Sequence, residues 1–312
     1  MQTLSDSKPK PSSMDAFRIS TNYLDKRLTS LKRSILKRLV LKSPAYFLRP
    51  NDTIGLSTMA EGSWEPETIQ IINHLAKAGY SDVFVDIGAN IGLIACQAGA
   101  LFKEVHLFEP NPICVHVLKA NLAIALPEKP TAIYPFGLGD SSERVTMLIP
   151  HKNLGGAFIP NDANDYTEDQ FNAMHGFHAF SEHNYSKQTV DIERADDVFT
   201  DLFSNLYKKN LCNVLIKIDV EGMERVILQS IVKQKPDGCH FAVIFENWDH
   251  SSVSAIDFYA QLSQQYELYY LHQPNGLWSR LLSMIGLSAS PICQSTLVPY
   301  AGPRHGTFVL VT

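Results

Sequence analysis

Four acidic residues follow short apolar runs along this chain: Asp86 after Val83-Phe84-Val85, Glu109 after Val105 to Phe108, Asp219 after Val214 to Ile218, and Glu246 after Phe241 to Phe245. The first acid leads directly into Gly88-Ala89-Asn90-Ile91-Gly92. Small residues let a backbone pass close to a ligand, and the helix that follows such a turn offers free N–H groups. If the apolar runs are parallel strands, their ends converge on one crevice, and the four carboxylates converge with them. That crevice repels phosphate. It suits a ligand that carries positive charge and hydroxyls to be accepted.

Dinucleotide-binding folds use a similar turn, and an NAD-dependent dehydrogenase is the competing enzyme reading. The spacing here is G-x-x-x-G, with Asn90 where the middle glycine of G-x-G-x-x-G would stand. Asp86 sits where a pyrophosphate would be repelled. S-adenosylmethionine (SAM), with a sulfonium, an ammonium and ribose hydroxyls, matches the charge. Glu109 stands where a bidentate ribose acceptor belongs in either reading. A third reading is a catalytically silent binding module that keeps the fold; intact Asp86, Gly88, Gly92 and Glu109 weigh against it.

The elements that must position these residues alternate. Strand-like runs Val83 to Val85, Val105 to Phe108, Ala132 to Phe136, Val214 to Ile218 and Phe241 to Phe245 are separated by helical patterns over Ile91 to Leu101, Asn111 to Leu126 and Met223 to Val232. Late β runs are expected at Tyr266 to Leu271 and Thr307 to Val311. Apolar runs of this kind suit a sheet covered on both faces. The expectation is an α/β, Rossmann-like, doubly wound and mostly parallel sheet of seven strands.

Residues 1–23 read as a disordered lead-in, 24–79 as an N-terminal helical cap and 80–312 as the SAM-binding domain. An insert at 153–186, between hairpin arms Arg144 to Ile149 and Thr189 to Ile192, reads as a lid. It holds six aromatic residues and three histidines (His175, His178, His183) but no Lys or Arg. Rings such as Phe177 and Tyr185, with acids such as Asp165 and Glu182, fit a sugar's faces and hydroxyls. A packed subdomain core explains the same rings. The histidines have no evident fourth partner for zinc.

Composition bounds the partners. The net charge is −5, yet Lys26 to Arg49 holds eight Lys/Arg and no acid, which leaves −13 on the remainder. An acidic body argues against nucleic acid. Leu24, Leu28, Leu31, Ile35 and Leu39 recur at helical spacing in the basic segment. Two readings follow: a helix lying on the domain, or an interfacial helix making peripheral contact with an anionic membrane through residues 24–49. Five scattered cysteines without a CxxC pair and no long apolar run point to the cytoplasm.

Taken in order, Val85 to Gly92, Phe108-Glu109-Pro110-Asn111-Pro112, Ala195-Asp196-Asp197-Val198, Ile216 to Glu224 and Phe245-Glu246-Asn247 resemble the successive motifs of the FkbM-type methyltransferases. The resemblance spans about Trp64 to Asn247; Met223 departs from it, as the family often has His there. It implies SAM-dependent methylation of a hydroxyl on a sugar, glycan or related natural product. On this reading Asp86, Gly88, Ala89, Asn90, Gly92, Glu109, Pro110 and Asn111 hold the cofactor.

Methyl transfer requires chiefly an aligned acceptor and a base for its proton. Lys217 and Asp219, two apart, share a face at a strand mouth, and Glu221 follows; these are the catalytic expectations, with a purely structural ion pair as the alternative. Asp219, Glu246 and Asn247 also resemble the magnesium site of catechol-type O-methyltransferases, although Glu replaces the usual Asp and Gly222 stands where that family has its lysine base. Oxygen ligands suit Mg²⁺.

Overall fold

The computed structural model describes residues 32, 34–40, 43–50, 52–151, 154–159, 185–220, 222–247, 253–272, 296–302 and 304–312. The core is β1 (Val83–Ile87), β2 (Glu104–Phe108), β3 (Thr131–Tyr134), β7 (Asn213–Ile218) and β8 (His240–Asn247), paired in parallel in the order β8-β7-β1-β2-β3. All five residues of β1 are buried, as a strand covered on both faces must be. Beyond β8 the pairing turns antiparallel through β11 (Gly306–Val311), β9 (Glu267–His272) and β10 (Thr296–Pro299). The sheet is therefore eight-stranded and mixed, not a mostly parallel sheet of seven. The late β runs carry this difference: sequence periodicity places strands but does not set their direction.

Helices cover both faces. One carries α2 (Pro66–Lys77), α3 (Leu93–Ala98) and α4 (Pro112–Ala125), with α1 (Thr53–Glu61) setting Ile54 against Ile91, Leu93 and Cys114; the other carries α5 (Ala195–Lys208), α6 (Glu224–Gln234) and α7 (Val253–Gln265). Alternation along β1 decides what each layer meets: Val83, Val85 and Ile87 join the core under α5 to α7, while Phe84 faces α2 to α4. α5 was not expected from periodicity, although Ala195, Phe199, Leu202, Phe203 and Leu206 form its buried stripe. Its Asp196, part of the stretch that resembles a family motif, accepts from Ser230 Oγ (2.7 Å) on α6 and so ties two helices together.

A second sheet, β4 (Gly137–Gly139), β6 (Tyr185–Arg194) and β5 (Glu143–Pro150), stands beside the first in the order β4-β6-β5. The expected hairpin arms are its antiparallel pair, registered from Glu143 opposite Ile192 to Pro150 opposite Tyr185. Residues 160–184 of the insert, with its three histidines and with Asp165, Phe177 and Glu182, lie outside the described residues.

Much of the basic segment also lies outside them. In the described part, 34–39 is helical and Ile35, Leu36 and Leu39 are 51%, 58% and 68% exposed. A helix lying on the domain by its apolar stripe would bury them, so that reading is not met by these residues. Docking begins further on, where Tyr46 OH donates to the Cys96 carbonyl (3.3 Å) and Asn121 accepts from Phe47 N (2.7 Å).

Candidate functional site

The turn after β1 is shaped by what it must avoid. Gly88 has φ +83, and a Cβ there would lie 1.8 Å from the Asp219 carbonyl oxygen, so only glycine lets the β1 and β7 ends pass. Gly92 (φ +82) would drive a Cβ into Leu118 of α4. Asn90 between them is also left-handed, at φ 51. The glycines thus serve packing between elements as directly as ligand access. Asn121, fully buried on α4, donates to Ile91 O (2.9 Å) while also holding Phe47, which pins the turn to the N-terminal segment. Sequence reading missed it; a lone Asn in an apolar helical stretch was the available signal.

Glu109 follows β2, and both its oxygens are engaged: Oε2 accepts from Asn90 N (2.8 Å) and Oε1 from Asn111 N (2.7 Å). A carboxylate has about four lone-pair sites, so two remain for ligand hydroxyls. Burial pushes its pKa up to about 7, against the lowering effect of those two amides, with Asp86 and Asp219 adding to the rise. Asn111 caps α4, accepting from Ile113 N (3.0 Å) with Pro112 at the first helical position.

Asp86 does not project into the crevice. Parallel register sets it beside Lys217, on the face covered by α2 and α3, where it is 1% exposed. Its Oδ1 is 4.0 Å from Lys217 Nζ and has no hydrogen-bond partner. Burial raises its pKa to about 6; Lys217 opposes the rise, and Asp219 and Glu65 add to it. Lys217 is equally buried and gives its ammonium to Asp219 Oδ2 at 2.7 Å. Burial acts to lower the lysine's pKa, but Asp219, Glu65 and Asp86 outweigh it and hold the lysine charged.

A cleft of about 530 Å³ opens at the point where the strand order reverses between β1 and its two neighbours. Gly88, Asn90, Glu109, Pro110 and Asp219 line it, together with Phe136, Leu138, Asp140, Met223, Arg225 and the inner face of the small sheet at Val145, Met147 and Ile192. Of the four strand-end acids, Glu109 and Asp219 meet here. Asp86 lies beneath the turn, and Glu246 borders a separate small cavity with Glu65, Thr68, Lys217 and Thr307. Ala89 packs into the core and Gly92 against α4, behind the turn. Glu221 and the side chain of Asn247 lie outside the described residues. Among the described residues, no three His, Cys, Asp or Glu side chains are grouped to hold a metal ion, and Asp219 spends one oxygen on Lys217.

Glu109 with free lone pairs, the half-exposed carboxylate of Asp219, and an apolar wall at Pro110, Phe136 and Leu138 together fit a ligand with ribose, positive charge and a flat ring. Residues 86–268 match the model of the Methyltransferase FkbM domain. The chain belongs to the FkbM methyltransferase family. It is a SAM-dependent methyltransferase. One relative, Methyltransferase sdnD of Sordaria araneosa, is 28% identical over 178 residues, covering 54% of this chain and 67% of that one. Among solved structures, an O-methyltransferase from Bacillus cereus in complex with SAH aligns at TM-score 0.39 and 10% identity, over 96% of this chain and 94% of that one. An rRNA methylase from Streptococcus thermophilus aligns at 0.36 and 10%, over 78% and 92%. The fold of this FkbM methyltransferase is read from its own sheet order, not from these distant likenesses.

Proposed function

We propose that this FkbM methyltransferase methylates a hydroxyl oxygen of a sugar, glycan or related natural product. The observation that carries the reading is a single cleft lined by both Glu109 and the Lys217-paired carboxylate of Asp219. SAM supplies, when bound, a methyl group already activated by its sulfonium. Glu109 accepts the ribose hydroxyls through the lone pairs its amide partners leave free. Gly88, Asn90 and Pro110 shape the wall around it, while Ala89, Gly92 and Asn111 hold that wall in place. Asp219, with 45% of its side chain exposed, takes the proton of the attacking hydroxyl, and buried Lys217 fixes its orientation. Glu221, two residues on, is the alternative base.

The insert's lack of Lys and Arg favours a neutral, hydroxyl-rich acceptor over an anionic one. Methyl transfer from SAM should be measured across matched glycosides, phenols, amines and carboxylic acids. Turnover is expected with glycoside hydroxyls; a strong preference for an amine or a carboxylate would sink the sugar assignment.

The exposed Ile35, Leu36 and Leu39, interleaved with Lys37 and Arg38, favour a second reading: residues 24–49 contact an anionic membrane surface from the cytoplasmic side. Residues 24–79 would then act as a cap that links membrane and cofactor turn, with 80–312 as the SAM-binding domain. Among the described residues no helix is long and apolar enough to cross a membrane. Cys96, Cys114, Cys212 and Cys239 are free thiols, as a reducing compartment allows.

A further inference from the structure

We infer that Glu65, brought in by the N-terminal segment, is a cofactor-binding residue that faces the amino-acid end of SAM. The inference rests on the assignment of Glu109 to the ribose: the opposite side of the Gly88 turn then receives the other end of the cofactor. On that side the charges do not balance. Asp86 and Lys217 stand side by side in register on the face covered by α2, and α2 begins immediately after Glu65. Lys217 Nζ is 2.7 Å from Asp219 Oδ2 and 4.0 Å from Asp86 Oδ1, and Glu65 borders the same small cavity as Lys217 and Asp219. Two carboxylates thus lie within 4.0 Å of one ammonium, a third, Glu65, borders the same cavity, and a buried oxygen of Asp86 has no hydrogen-bond partner. A bound ammonium group answers both the surplus charge and the orphaned acceptor.

The backbone at Glu65 points the same way. Its φ of 45 and ψ of 63 are left-handed, a conformation glycine adopts without cost and a residue with a Cβ does not. The side chain does not repay this by capping α2, with which it makes no cap hydrogen bond. The segment is nevertheless held firmly. Ser63 Oγ (2.6 Å) and Trp64 N (3.3 Å) both donate to Gln97 Oε1, so the carboxylate is presented from a fixed backbone. The fold alone would favour glycine at this position, and the backbone cost of glutamate is not offset by any role in capping the helix.

Calorimetric titration of the full chain with SAM, S-adenosylhomocysteine and 5′-methylthioadenosine tests this, because the last lacks the amino-acid end. Glu65→Gln should bind SAM and S-adenosylhomocysteine roughly tenfold more weakly and methylthioadenosine as the parent does. Glu65→Gly should show the same selective loss with a melting temperature equal to or above the parent's. Unchanged SAM affinity in both variants, or an equal loss for methylthioadenosine, would overturn the role. If the parent chain itself fails to bind SAM, it is the placement of the cofactor that falls, and not Glu65's part in it.

Discussion

Two buried carboxylates, Glu109 lining the cleft and Asp86 beneath its turn, hold their protons unusually tightly. Glu109 is raised from 4.5 to about 7 and Asp86 from 3.8 to about 6, in both cases first by burial. Between the unfolded and folded values the native state binds more protons than the unfolded one, so stability falls as pH rises through that window. The groups facing Asp86 are Lys217, Asp219, Glu65 and the Cys96 thiol. Those facing Glu109 are the Asn90 and Asn111 amides, Asp86, Asp219 and the Cys114 thiol. The ligand-free melting temperature should therefore drop as pH is raised from about 5 to about 7, and Glu109→Gln should shallow that drop; a profile that rises over the same interval would contradict it. A cationic ligand favours the ionised carboxylates, so SAM affinity should strengthen over the same range. Glu109→Ala should weaken SAM binding by about 1.5–3 kcal/mol, as expected for lost charge-assisted hydrogen bonds.

At the scale of elements, the turn after β1 is held from behind by α4. Asn121 bonds Phe47 on the N-terminal segment and Ile91 in the turn, so one amide couples that segment to the glycine turn. Asn121→Ala leaves the Ile91 carbonyl and the Phe47 amide without that partner, a loss of about 2 kcal/mol in chemical denaturation. SAM affinity should fall with it, because Asn90, whose amide orients Glu109, is the neighbouring residue. Denaturation midpoints and SAM titrations for the variant would check both; a destabilised variant with parental SAM affinity would show that the pin serves folding alone. Part of this was legible in the sequence: the core strands and the glycine turn fell where the alternation of elements placed them, and Glu109 and Asp219 met at the cleft while Asp86 and Glu246 did not. The Asn121 pin was not, because it joins residues 74 and 30 positions apart, and no local pattern encodes such a pair.

The whole molecule is an acidic body with a basic, apolar extension. Lys26 to Arg49 carries eight positive charges and no acid, and its described helical turns expose their leucines and isoleucine. Each cation near an anionic surface contributes about 1 kcal/mol at low salt. Deleting residues 1–41 should abolish sedimentation with phosphatidylglycerol vesicles and leave SAM affinity within about twofold, since the contacts of Tyr46 and Phe47 with α3 and α4 are retained. A full chain that ignores such vesicles at low salt would refute the membrane reading.

Residue chemistry and local order made the class of this protein legible before any fold was known. An acid before a G-x-x-x-G turn and further acids after apolar runs specify a cationic, hydroxyl-bearing ligand by charge alone, because electrostatic preference depends on residue type and on which elements end where. Other features were decided only in three dimensions. Alternation and register put Asp86 and Lys217 side by side on a buried face, away from the open cleft, and this turned an expected ring of four acids into two at the cleft and two elsewhere. The antiparallel edge of β11, β9 and β10 is a matter of chain direction, to which hydrophobic period is blind. Glu65 enters the argument only because the N-terminal segment folds back until Glu65 borders one cavity with Lys217, about 150 residues further along the chain, which tertiary packing alone brings about.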